Sequence, residues 1–143
     1  MTDAIAPLQG LHHVRLTVTD IRRSKAFYTS VLGSEPAMDF SDEVDEPGTT
    51  EDQEKLYGGC VFDLGGQLLG LRPVAQAGDR FDSTRVGLDH VSLQVGRRED
   101  LDAAARRLDE AGIEHGEVYS AGAVTILSFQ DPDDINLELT FAG

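Results

Sequence analysis

Two stretches of the chain follow one pattern, Leu-x-His-Val-x-Leu-x-Val: Leu11 to Val18 and Leu88 to Val95. His13 and His90 occupy the same place in each. Strict alternation over this length reads as a half-buried strand. Val14, Leu16 and Val18 make the apolar face of the first, and Val91, Leu93 and Val95 that of the second. His13, Arg15 and Thr17, then His90, Ser92 and Gln94, make the opposite faces. A helical pattern follows both strands. Asp20 caps the first helix, Ile21, Ala26, Phe27, Val31 and Leu32 give it helical spacing, and Gly33 stops it. The second spans Arg98 to Ala111, with Leu101, Ala104, Ala105 and Leu108 inward and Gly112 at its end.

The remaining segments complete the repeat. Ser34 to Phe40 reads as a short edge-like strand, and Ser41 to about Leu56 as a polar mobile loop. Gly59 to Asp63 and Gln67 to Arg72 read as two strands joined by a hairpin turn at Leu64-Gly65-Gly66. In the second half the strands are Ile113 to Tyr119, Val124 to Phe129 and Ile135 to Phe141, with Asp131-Pro132-Asp133-Asp134 as a tight turn. The offset between His13 and His90 exceeds the about 20–50 residues of a solenoid repeat. It fits a duplicated βαβββ module in an α+β chain. The expected organisation over 1–143 is a single domain: module one about 9–73, a linker about 74–86, and module two about 87–143. Neither half can bury its sheet alone, so pairing of the modules is expected.

Composition narrows the partners. The formal net charge of −14 argues against nucleic acid and anionic membranes, whose phosphates require Lys and Arg patches. No run of about 18 apolar residues exists, and the N-terminal residues lack the regions of a signal peptide, so a cytoplasmic location is expected. Cys60 is the single cysteine and lies in an apolar run, which suits a buried, inert thiol. Much of the negative charge falls between Asp39 and Glu54. That segment reads as a solvated acidic loop, or as a lip that attracts a cationic ligand. His12 is expected on the apolar face, and His115 exposed at a strand start.

The polar faces carry the chemistry. Beside His13-x-Arg15-x-Thr17 and His90-x-Ser92-x-Gln94 stand Leu68-x-Gly70-x-Arg72 and Asn136-x-Glu138-x-Thr140. Charged groups leave water only when paired or bound to a metal, so curved sheets would make of these faces a polar cup. His13, His90 and Glu138 suit a divalent metal ion, Fe, Zn, Mn or Ni, with positions left open for substrate. Arg15 is a candidate anchor for an anionic substrate, or a structural partner of Glu138 or Asp89. Ser92, Gln94 and Asn136 are candidate substrate contacts, and Tyr119 is a candidate for substrate contact or general acid work.

The residues Leu11-His12-His13-Val14, Asp20, Ala26-Phe27-Tyr28, Val31-Leu32-Gly33, Asp89-His90-Val91-Ser92-Leu93, Asp131-Pro132-Asp133 and Leu137-Glu138-Leu139 together resemble the vicinal oxygen chelate superfamily, also called the glyoxalase/bleomycin-resistance/dioxygenase superfamily. The resemblance covers nearly the whole chain. It implies two paired βαβββ modules forming a curved, partly open barrel around a metal, in a protein that forms homodimers and acts on a small molecule. The metal positions it implies are His13, Gly70, His90 and Glu138, with Glu138 also catalytic. Gly70 stands where glyoxalase I enzymes carry a Glu-type ligand. The remaining His, His, Glu set is similar to those of extradiol dioxygenases and fosfomycin-resistance enzymes. The activity implied is a glyoxalase-like lyase or isomerase or a dioxygenase, acting on a substrate that chelates the metal through vicinal oxygens. The alternative is a drug-sequestering protein of the bleomycin-resistance type, without catalysis.

Overall fold

A computed structural model describes residues 2–143. The chain divides between Ala77 and Gly78 into two compact units, each built from one half of the repeat. In the first, strand β1 (His13–Thr17) leads into helix α1 (Ile21–Leu32) and then into β2 (Met38–Asp39), β3 (Cys60–Asp63) and β4 (Leu68–Arg72). In the second, β5 (Val91–Gln94) leads into α2 (Arg98–Glu110), β6 (Tyr119–Ala121), β7 (Val124–Gln130) and β8 (Asn136–Ala142). Each unit holds one four-stranded sheet, ordered β1-β4-β3-β2 and β5-β8-β7-β6. The first and last strands of each half pair in parallel, and the other pairs are antiparallel.

Local chemistry sets the element ends. The Asp20 carboxylate accepts from the Arg22 and Arg23 backbone N–H groups at 3.1 and 3.2 Å, so the α1 N-terminus is capped as the sequence predicts. Gly33 closes the helix in the left-handed region, at φ 71°, and its N–H donates to the Thr29 carbonyl. The Asp63 carboxylate accepts from the Gly65 and Gly66 N–H groups at 2.8 and 3.0 Å. Those contacts hold the β3–β4 hairpin and keep the Asp63 carboxyl below its usual range. Apolar packing of the helix against one sheet face makes each core. Leu16, Val18, Ile21, Tyr28, Phe62, Leu69 and Leu71 are buried in the first unit, and Leu101, Leu108, Leu127, Phe129, Ile135 and Leu137 in the second. Cys60 is fully buried, and desolvation pushes its thiol up to about 12.

Four sequence expectations change. The segment from Ser41 to Gly58 is a series of 3₁₀ turns (Ser41–Glu43, Thr49–Glu51, Gln53–Gly58) rather than a featureless loop. Its carboxylates are used locally: Asp45 pairs with Arg22 and Glu43 with Lys55. The Asp52 side chain accepts from the Glu54 N–H, and Asp39 pairs with Lys25. The expected linker belongs to the second unit from Gly78 onward. There Arg80 binds Asp134 and the Pro132 carbonyl, and the Phe81 N–H donates to the Asp133 carbonyl. Ile113 to Tyr119 is not a continuous strand; it contributes a single bridge, His115 to Phe129, before β6 begins. The histidines trade places, because neighbours outweigh alternation. His12 is exposed and precedes β1. His115 is half-buried, its ring held between the Asp109 carboxylate at 2.7 Å and the Gly116 carbonyl at 2.6 Å.

Candidate functional site

The second unit brings most of the sequence candidates onto one sheet face. Parallel pairing of β5 with β8 places Ser92 beside Glu138 and Gln94 beside Thr140. Ser128 and Gln130 of β7 face Glu138 and Asn136 across the antiparallel ladder. His90 directly precedes β5, and its Nε2 stands 3.8 Å from Glu138 Oε1. Behind the ring, Nδ1 is 2.6 Å from Asp89 Oδ1. A neutral imidazole that donates its Nδ1–H to Asp89 presents the Nε2 lone pair toward Glu138. Glu138 is held in turn, since the Thr140 hydroxyl donates to its Oε1 at 3.0 Å and also meets the Ser92 hydroxyl. The Gln130 amide donates to Asn136 Oδ1 at 2.9 Å, and the Asn136 amide reaches the Asp89 carbonyl at 3.4 Å.

An open pocket of about 630 Å³ lies in this unit, lined by Asp89, His90, Ser128, Gln130, Asn136 and Glu138 among others. Such a volume admits a small organic molecule. The donor chemistry fits a divalent ion: bonds of about 2.0–2.2 Å to imidazole nitrogen and carboxylate oxygen let one ion touch both groups across a 3.8 Å gap. The carboxylate behind the ring is the arrangement that orients a ligating histidine. Among the described residues, no group of three or more His, Cys, Asp or Glu side chains stands at metal-holding geometry.

The other candidates lie elsewhere. His13 opens β1 in the first unit, exposed, with its Nδ1 2.8 Å from Nδ1 of His12. One proton serves that nitrogen pair when both rings are neutral, and the His13 Nε2 keeps its lone pair when His13 is the ring that donates. Arg15 pairs in register with Gly70, as Ser92 pairs with Glu138. Gly70 is thus the positional counterpart of Glu138 in the duplicated plan. The space above it is used: a Cβ at Gly70 would stand 3.4 Å from Cγ and 3.5 Å from Nε of Arg15. Tyr119 lies on β6, the outer strand of the second sheet, and is exposed. Sequence reading gave no catalytic or ligand-binding role to Asp89, Ser128 or Gln130. Asp89 had a signal in its position beside His90, and Ser128 and Gln130 had one in their alternation with the buried Leu127 and Phe129.

Residues 10–139 match the family model of the Glyoxalase/Bleomycin resistance protein/Dioxygenase superfamily. The chain belongs to this superfamily. Its two βαβββ modules are the fold of that superfamily, as the sequence leads one to expect. A crystal structure of a glyoxylase/bleomycin resistance protein/dioxygenase domain from Frankia sp. EAN1pec superposes with a TM-score of 0.75 at 31% identity, covering 96% of this chain and all of that one. The uncharacterized protein YwkD of Bacillus subtilis is 29% identical over 134 residues, 92% of this chain and 96% of that protein. The fosfomycin resistance protein FosX of Listeria monocytogenes shares the fold, with a TM-score of 0.68 at 19% identity over 96% of each chain.

Proposed function

We propose that this chain is a metal-dependent enzyme of the superfamily, a glyoxalase-like lyase or isomerase or a dioxygenase, acting on a small substrate that chelates the metal through vicinal oxygens. The observation that carries the reading is the Asp89–His90–Glu138 arrangement, with Nε2 and Oε1 3.8 Å apart and Asp89 2.6 Å behind the ring. In this reading His13, His90 and Glu138 hold the ion, whether Fe, Zn, Mn or Ni, and the protein works as a cytoplasmic homodimer. The bound ion would supply Lewis-acid polarisation of the substrate's oxygens. Asp89 keeps the His90 ring in one orientation and one tautomer. The hydrogen bond from Thr140 holds Oε1 of Glu138, while its carboxylate serves as the proton acceptor of the reaction. Ser92, Gln94 and Asn136 orient the substrate, Arg15 meets its anionic end, and Tyr119 contacts it from the outer strand. The test is metal analysis of purified protein after chelation and reloading. One divalent ion per chain, lost in His90→Ala and Glu138→Gln, supports the reading; equal loading of wild type and both variants sinks it.

The second reading, a drug-sequestering protein of the bleomycin-resistance type, is favoured by Gly70, which leaves the fourth family position without a donor. Calorimetry with a cationic glycopeptide before and after EDTA separates the two, since sequestration without metal survives chelation and the enzyme reading predicts no such binding. The local pairing of Asp39, Glu43 and Asp45 weakens the acidic lip on which this alternative also drew.

A further inference from the structure

The polar face of the first sheet carries two guanidinium groups in a chain of net charge −14. Arg15 pairs in register with Gly70, and Arg72 pairs with Thr17 two positions along the same strands, so alternation puts both arginines on one face. Among the described residues of their unit neither has a carboxylate partner, whereas Arg22, Lys25 and Lys55 each have one. Arg72 Nε is buried and lacks a hydrogen-bond partner among the described residues. A buried donor left unmet is costly in a folded protein.

The surroundings hold that donor in place. The Arg72 guanidinium carbon lies 3.6 Å from the centroid of the Tyr57 ring, a cation–π contact that fixes the side chain. Tyr57 reaches it from strained backbone. Leu56 and Tyr57 sit at φ 50° and 58°, followed by Gly58 at 81°, and consecutive left-handed residues other than glycine persist only where the surroundings impose them. Val44 packs against Gly58, where a Cβ would come within 3.0 Å. Beside Arg72, the Arg15 side chain lies over Gly70, within van der Waals reach of where a Cβ would stand.

We infer that Arg15 and Arg72, across Gly70 and under Tyr57, form a subsite for an oxyanion group, a carboxylate or phosphonate, of a small organic ligand. Guanidinium groups match such oxyanions through paired, charge-assisted hydrogen bonds. The inference extends the reading of Arg15 as a substrate contact but requires no metal. The arginine Nε–H signals are followed by ¹H–¹⁵N NMR during titration with acetate and, separately, methylphosphonate, both on protein stripped of metal by chelation and then dialysed free of the chelator. The subsite predicts a saturable shift of the Arg72 Nε–H with at least one probe, the tighter one naming the oxyanion. It also predicts affinity about tenfold weaker in Arg15→Gln, about 1.4 kcal/mol, no binding in Gly70→Glu, whose carboxylate would occupy the space, and no change in the α2 variant Arg106→Gln. Backbone amide spectra establish that each variant is folded. The inference is overturned by an absent or unsaturable Arg72 shift, by equal affinity in Arg15→Gln, or by uniform shifts of all arginines. Because the protein is metal-free throughout, failure here leaves metal binding at His90 untouched, and failure of metal binding leaves this result standing.

Discussion

Asp131→Ala tests how the turn before β8 sets the position of Glu138. The Asp131 side chain is buried, and its Oδ1 accepts from the backbone N–H groups of Asp133 and Ile135 at 2.8 and 2.9 Å. The same turn is closed by hydrogen bonds between the backbones of Asp131, Asp134 and Ile135. Alanine leaves two buried donors unmet, at about 1–3 kcal/mol each, so the expected loss is roughly 2–6 kcal/mol. That is a large share of the about 5–15 kcal/mol that holds a typical domain folded. With a urea slope of about 2 kcal/mol/M, the midpoint falls by roughly 1–3 M. Asp131→Asn keeps an oxygen acceptor and should lose less than half as much. A midpoint for Asp131→Ala within about 0.3 M of wild type would refute the assignment of these bonds as structural.

Three further outcomes follow from the same geometry. The His115 pKa is raised by its bond to the Gly116 carbonyl and then by Asp109. The stability it adds is complete below the unfolded value of about 6.5 and fades as pH rises through the raised folded value. Wild type should therefore exceed His115→Ala most at pH about 6, and a gap that widens toward alkaline pH in thermal melts would contradict this. Cys60, buried and with its thiol pushed up to about 12, should resist a thiol reagent in the native protein and react on unfolding; rapid native labelling would count against its burial. Asp89→Asn should weaken divalent-metal affinity about 10–100-fold by loosening the His90 ring. Unchanged affinity by calorimetry would remove Asp89 from that role.

Much of the fold was legible because the repeat states it twice. The alternation around His13 and His90 located β1 and β5, and the Asp20 cap and Gly33 stop bounded α1. Less legible were features set by partners distant in sequence. Nothing local to Gly78 or Arg80 announces their attachment to the turn at Pro132 and Asp134. The acidic run hid ordered 3₁₀ turns because three of its carboxylates, Asp39, Glu43 and Asp45, are paired with Lys25, Lys55 and Arg22. At the site, the His90–Glu138 pair followed from strand parity and register. Asp89 behind the ring did not, since parity places it on the opposite face and only the irregular chain entering β5 turns its carboxylate toward the imidazole. The unmet Nε–H of Arg72 depends on the left-handed backbone at Tyr57, which no residue type there predicts.

The central claim is that His90 offers a free Nε2 to a metal beside Glu138. Long-range ¹H–¹⁵N NMR of the imidazoles reads that nitrogen directly, before and after addition of Zn²⁺. The account predicts a neutral ring protonated at Nδ1, with Nε2 moving to a metal-bound shift as one equivalent of ion is added and remaining unmoved in Glu138→Gln. A His90 Nε2 signal unchanged by excess Zn²⁺, or one that moves equally without the Glu138 carboxylate, would contradict it.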